Sequence, residues 1–567
     1  MKSRTSFFNP TVFKKDLTRF APTWALYTVG LFMMLAVCTD SSHQYRQAQN
    51  LADTLAFMSI VNLGFGLLNG QLLFGDLFSA KHCNALHAMP LRRECWYVTH
   101  TVSGLLFALV PNTVFALVAA AILGSGWSVA FWWLLAVTLQ YLFFFGLAVL
   151  SALCVGNRFA MVLVYGIINF LSVIIYWFYY SIYEPLLYGV LCKDEVFTRF
   201  CPVWTMTERS NDLLVINRTT ESQMVHTVEL GEGWGYYAIY AAIGVALLGL
   251  ALLLYRRRKL ESAGDFMAVR ALEPVFLGLY TISMAAYFQG VGDLFDIGRY
   301  IFLGLGIIVG FFTGRMLLKR TIRVFQPKAI LACLLCGVIF AASMVLTVVD
   351  PLGITRYVPE AGDVAGVYIT SNQYNFSYSS VHRMEDPELV KKALDFHEVI
   401  LDEAPVVDPE AASMSICLNY VLENGKTVQR YYPDVPVDGE AYGLAKYFFT
   451  RTEYILNGDP DAVLAGLVNV DASIYASAEY GGGYYGSLPA DMGRELMQAI
   501  ITDCNAGKVT QHWAFVDDYD SIGWVEFSWV DENGREYYNN IDLYGSAEHT
   551  VDYLENTVRP WLEVNGY

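Results

Sequence analysis

Charge is what this sequence has little of. Only 16% of its 567 residues are Asp, Glu, Lys or Arg, against 55% hydrophobic, and the mean hydropathy is +0.37. That balance excludes an ordinary soluble enzyme, and the length exceeds what one hydrophobic core organises. The scarce charge is also unevenly spread. Residues 351–567 hold 35 acidic and 12 basic side chains, whereas the first 350 carry a small basic excess, within a total of −17. So acidic a surface disfavours nucleic acid as a partner.

Catalytic and cofactor signatures are missing as well. Asn424-Gly425-Lys426-Thr427 ends like a phosphate loop, but Tyr420 stands where the first required Gly belongs, and the segment reads as a hairpin turn. No cofactor is therefore expected on this chain. His397-Glu398 lacks the second His of a metalloprotease helix. Asp517, Asp518 and Asp520 lack the rest of an EF-type calcium loop and read as a solvated acidic loop. The other histidines are scattered and read as surface or capping residues. Asn217-Arg218-Thr219 and Asn375-Phe376-Ser377 match glycosylation sequons, for which chance occurrence is the reading.

The ten cysteines form no metal pattern. Cys333 and Cys336 have a redox spacing inside an apolar run, where packing is the better reading. Cys192 and Cys201 share one loop, and Cys417 and Cys504 share the acidic half; pairing of either couple stays open.

What is present is a series of apolar runs, each long enough to cross a bilayer. They fall near 20–37, 54–74, 98–123, 128–155, 159–183, 236–255, 271–289, 297–318 and 329–349. The first ends in no small-x-small cleavage site, so a retained span is expected. The chain reads as a polytopic α-helical membrane protein of about nine spans. A C-terminal extracytoplasmic α+β domain completes it, and three regions result: 1–255, 256–350 and 351–567.

With the N-terminus inside, Lys81, Arg92, Arg93, Arg158, Arg256–Lys259, Lys319, Arg320, Arg323 and Lys328 all fall on the inner side. The in-span polar residues Asn62, Asn69, Gln71, Asn112, Gln140 and Asn169 are uncharged. They read as interhelical hydrogen-bonding groups and give no sign of a proton relay. Gly306, Gly310 and Gly314 offer a smooth face for helix packing, and Tyr176–Tyr180 resembles an interfacial aromatic belt. The long polar loop 184–235 is expected to fold over the outer mouth of the spans. In the acidic half, a helical pattern followed by an Asn-Gly hairpin occurs twice, either by duplication or by coincidence.

One stretch stands apart: Gly75–Trp96, polar and basic between two apolar runs. Leu77, Phe78, Leu86 and Met89 are expected to form an apolar stripe beside Lys81, His82 and His87. Pro90 breaks that pattern, and Leu91-Arg92-Arg93-Glu94 restarts it. Such a cationic amphipathic segment suits docking to another protein or lying on the lipid surface.

The first 255 residues resemble the membrane subunits of type-2 ATP-binding-cassette (ABC) exporters. The resemblance rests on six spans, a basic N-terminal segment, and Ala88-Met89-Pro90-Leu91-Arg92-Arg93-Glu94 in place of a Leu-Pro-x-x-Arg-like sequence. The link Tyr255–Gly264 also resembles a segment following the sixth span in permeases of Firmicutes-like bacteria. It implies a permease coupled to a cytosolic ABC ATPase subunit that binds the ATP, and a second permease copy in the bilayer. Asp76, Lys81, Met89, Pro90, Leu91, Arg92, Arg93 and Glu94 would then form the ATPase-coupling loop, with Asn9–Arg19 beside it. The three further spans and the acidic domain depart from the six-span pattern. They leave open a sensor whose acidic domain binds a ligand such as a cationic peptide. A membrane enzyme is the weakest reading, because no acid–base set assembles.

Overall fold

The computed structural model describes residues 7–39, 44–89, 91–122, 127–191, 197–218, 225–295, 298–371, 383–403, 405–406, 412–475, 483–510, 515, 521–531 and 534–565. Pro90, Cys192, Thr219, Asn375–Ser377, Asn533 and Asp517, Asp518 and Asp520 lie outside them. So do the side chains of Leu86, His87, Asn217 and Arg218. Contacts divide the chain into two compact units: Met1–Tyr183 with Lys193–Met344, and Glu184–Cys192 with Val345–Tyr567.

The first unit is helical apart from one antiparallel hairpin of β2 (Leu214–Arg218) with β3 (Val225–Leu230). A short amphipathic helix, α1 (Pro10–Arg19), precedes α2 (Ala21–Cys38) and the 30-residue α3 (Gln44–Leu73). A 3-10 turn at Gly75–Phe78 and α4 (Ala80–His87) lead to α5 (Arg93–Ile122) and α6 (Trp127–Cys154). Next come α7 (Arg158–Asn169), α8 (Leu171–Ile182), the small helix α9 (Pro202–Glu208) and α10 (Trp234–Arg257). Then follow α11 (Glu273–Leu294), α12 (Arg299–Lys319) and α13 (Pro327–Val349).

Among the described residues, eight helices are long and apolar enough to cross a membrane, or nine if α7 and α8 count as one span. That pair is bent by 64°. The bend sits where Asn169, fully buried, turns its side-chain amide back onto the Tyr165 carbonyl at 2.9 Å. Its own carbonyl accepts from the Cys201 thiol at 3.6 Å, and a foreign donor in a helix ladder is a recognised cause of kinks.

α6 is the central element, with Trp133, Phe144, Phe145 and Gln140 fully buried. Of the in-span polar residues, Asn62, Asn69, Gln71, Asn112 and Gln140 join helices, whereas Asn169 bonds within its own helix. Asn62 Nδ2 donates to Gln140 Oε1 at 3.0 Å, and Gln140 Nε2 reaches Ser59 Oγ and Tyr237 Oη, each at 2.9 Å. Tyr27 donates to Asn112 at 2.9 Å and Asn69 to Tyr141 at 2.8 Å. Gly306, Gly310 and Gly314 lie against α11, where a Cβ on Gly310 would sit 2.8 Å from Met284 Cβ. Part of the long loop packs on the helix ends: Leu213 and Met206 are fully buried, and Trp234 Nε1 donates to the Leu213 carbonyl at 3.0 Å.

The second unit holds two four-stranded antiparallel sheets, the first of which has the short β1 (Gly189–Val190) at its edge. Its first half runs β4 (Val364–Thr370), α14 (Pro387–Asp402), β5 (Ser413–Leu422), β6 (Thr427–Pro436), α15 (Glu440–Phe449). After two short helices, α16 (Thr452–Leu456) and α17 (Pro460–Gly466), the order repeats. It reads β7 (Leu467–Tyr475), β8 (Gly483–Ser487), α18 (Ala490–Asn505), β9 (Ser521–Val530), β10 (Glu536–Tyr544), α19 (Glu548–Tyr553). The neighbours β6-β5-β4 match β10-β9-β7, so one topological unit occurs twice. Each half has its own hydrophobic core. Asn424-Gly425 is the tight turn between β5 and β6, with Gly425 at φ +77°.

Cys417 and Cys504 are buried thiols, Cys417 in β5 and Cys504 in the core of the other half. A disulfide between them is excluded here. Cys201 is likewise a free thiol.

Candidate functional site

α1 forms because Pro10 presets its first turn and Asn9 caps it, accepting from the Thr11 and Val12 amides. Both ends of α1 are tied to α5. The Asn9 amide donates to Thr99 Oγ1 at 3.1 Å. Asp16, only 4% exposed, accepts from Ser103 Oγ at 2.9 Å and lies 2.8 Å from His100 Nδ1. His100 stacks on Trp96 with ring centroids 5.6 Å apart. His100 is thus a buried structural group, contrary to the surface or capping role expected of it, because α5 presents Trp96, His100 and Ser103 one turn apart to α1.

The loop 75–96 splits in two. The 3-10 turn buries Leu77, and α4 turns Cys83 inward, while Met89 is 46% exposed. Leu77 and Met89 of the expected stripe therefore do not share one buried face, the Leu86 side chain being outside the described residues: the turn at Gly75–Phe78 shifts the phase before α4 begins, and Cys83 supplies the buried contact. Lys81 and Arg92 are exposed, and Leu91 is half-buried. Asp76 is 3.8 Å from Arg19 and 4.0 Å from His82. Glu94 pairs with Arg256 at 3.2 Å.

A second layer lies beneath. Arg93 donates to the Arg258 carbonyl at 3.2 Å. The Arg258 guanidinium reaches three carbonyls: Ala152 at 3.0 Å, Leu153 at 2.9 Å and Leu77 at 3.2 Å. The first two are unsatisfied C-terminal carbonyls of α6, a favourable place for a cation. Burial draws this guanidinium below its usual value, yet Arg stays charged. The chain after α10 also lies on Gly156, where a Cβ would come within 2.2 Å of the Ser262 carbonyl, so only glycine fits. Arg258 and Asp16 are the positioning residues that sequence reasoning did not single out.

Between α1, α4 and α5 lies an open cavity of about 220 Å³, lined in part by Lys15, Asp16, Arg19, Asp76, His82 and Trp96. Among the described residues, the indole N–H of Trp96 is buried without an acceptor. The expected docking stretches, 9–19 and 76–94, thus share one surface. Among the described residues no group of three or more His, Cys, Asp or Glu side chains is placed to hold a metal ion.

No family model, curated protein or solved structure matches this chain.

Proposed function

We propose that this chain is the membrane-spanning permease subunit of an ABC exporter whose ATP is bound and hydrolysed by a separate cytosolic subunit. The observation that carries this reading is the tie between α1, α4, α5, α6 and the segment after α10. A force applied to Lys15, Lys81 or Arg92 at the surface passes through Asp16–His100, Glu94–Arg256 and Arg258 to the ends of long helices. A loosely attached loop would absorb that force. In this reading the N-terminus is cytoplasmic, since the basic clusters then all face inward. The acidic domain stands outside the cell membrane, and a second permease copy completes the transport path between subunits.

A photo-crosslinking residue at Lys81 or Met89, both exposed, tests it in membranes containing the ATPase. Recovery of an ABC ATPase is the expected result; crosslinks to lipid alone would sink the proposal.

The charge of residues 351–567 favours a second reading, in which the acidic domain binds a cationic ligand and the spans carry the signal. Deleting the chain from Ile354 onward separates the two. Loss of ligand response with transport intact supports sensing, and loss of transport ties the domain to export.

A further inference from the structure

We infer that the face of the second sheet, β8-β7-β9-β10, that no other described element covers is a docking surface for an extended cationic peptide. The inference rests on the second reading, ligand binding by the acidic domain, and names where that ligand sits.

One face of this sheet is core. Ala472, Ile474, Val525, Phe527, Ile541 and Leu543 are buried there. Strand alternation sends their neighbours to the other side. Register then fixes two rows across that side. In the first, Tyr485, Ser473, Trp524 and Asp542 are successive partners; in the second, Ser487, Asp471, Glu526 and Asn540. The small Ser473 lets Tyr485 and Trp524 meet, with centroids 5.5 Å apart. Tyr485 is 50% exposed, and Tyr538 on the same face is 52% exposed.

Two features set this face apart from an ordinary solvated one. Asp471 and Glu526 stand directly opposite each other, an arrangement of like charges that destabilises a sheet. Yet β7 to β10 contain no Lys or Arg, and among the described residues neither carboxylate is in an ion pair. The phenol of Tyr485 is pushed up by the charge of Asp471, then by burial and Glu526, which places all three together. Asp471 accepts from Asn469 Nδ2 at 3.0 Å and from Ser487 Oγ, neutral donors that hold the carboxylate in place without balancing its charge. Exposed rings beside carboxylates without a cationic partner recognise guanidinium or ammonium groups, by cation–π contact and by charge-assisted hydrogen bonds. Successive rows on one face are on the order of 7 Å apart. Alternate side chains of an extended peptide have the same spacing, so two Arg or Lys residues reach both rows.

The test uses the full-length chain in detergent with fluorescein-labelled hexa-arginine, read by anisotropy at fixed salt. The wild type is expected to bind, and D471N/E526Q to bind at least about tenfold more weakly. D395N/E398Q removes the same charge from exposed positions of α14 and is expected to stay within about twofold. Should D471N/E526Q fail to fold, Tyr485→Ser at the sheet edge provides the same comparison. Equal weakening by the α14 control overturns the inference, since it would show only diffuse attraction. Unchanged affinity in the face variants overturns it while leaving ligand binding intact. No binding by the wild type overturns both. None of these outcomes touches the ATPase reading.

Discussion

Asp16 Oδ2 and His100 Nδ1 lie 2.8 Å apart although 84 residues separate them, and both side chains are nearly buried. This contact fixes the amphipathic α1 to a long apolar helix. Hydrogen bonds to a charged group of this kind contribute about 1.5–3 kcal/mol each. Asp16→Ala is expected to release α1 by about 2 kcal/mol, while the helices beyond it keep their packing. Trypsin cleavage after Lys14, Lys15 or Arg19 should then rise on the order of 30-fold, following the population of the open form. A cleavage rate equal to that of the wild type would show that Asp16 does not hold α1.

Glycine positions on α12 give a prediction with its own control. A methyl on Gly310 would lie 2.8 Å from Met284 Cβ and 3.1 Å from Thr281 Cα, whereas Gly304 has nothing within 4 Å. Overpacking of close helix contacts costs about 1–3 kcal/mol. Gly310→Ala is therefore expected to lower the thermal midpoint and Gly304→Ala to leave it unchanged or slightly higher, since glycine disfavours helix. Equal midpoints for the two variants would remove the close α11–α12 contact as a source of stability.

The acidic half has a built-in response to pH. His397 is fully buried, 2.6 Å from Tyr432 Oη and 3.2 Å from Tyr420 Oη. Burial, with a smaller push from Arg430, lowers its pKa from 6.5 to about 3. The unfolded chain therefore binds the extra proton first. The stability held by neutral His397 is complete above pH 6.5 and falls as pH drops towards 3, at about 1.4 kcal/mol per unit. His397→Gln keeps a hydrogen-bonding group that cannot titrate. Its denaturation midpoint should depend less on pH between 6.5 and 3 than that of the wild type; parallel curves would exclude His397 as the titrating group.

How much of this was legible in the sequence depends on range. The apolar runs stand out because each is a local property, and the helices match them within a few residues, except that α3 begins about ten residues early. The break at Phe170 was not visible, since it depends on Cys201, 32 residues further on, reaching the Asn169 carbonyl. Likewise α1 and the 76–94 stretch were recognisable one by one from their basic residues. Their union through Asp16, His100 and Arg258 spans up to 181 residues of separation and leaves no periodic trace. The two Asn-Gly turns gave half of the repeat in the acidic domain. The other half, the antiparallel pairing of β4 with β5 and of β7 with β9, joins strands far apart in the chain and leaves no local pattern.

Arg258 separates charge from geometry in the proposed coupling layer. Its fork meets the carbonyls of Ala152, Leu153 and Leu77 at once, tying the end of α6 to the turn before α4. A lysine there keeps the positive charge near the helix end but has a single ammonium on a flexible stem, so it cannot span the same three acceptors. Arg258→Lys is expected to cost about 2 kcal/mol, close to the loss of one or two charged hydrogen bonds. The thermal midpoint should fall, and the Cys83 thiol, now buried beneath the loop, should become open to maleimide labelling. Arg258→Gln should lower the midpoint further, since the dipole of α6 then also loses its cation. Equal behaviour of the Lys and Gln variants would assign the effect to the fork alone, and a Lys variant as stable as the wild type would assign it to charge alone.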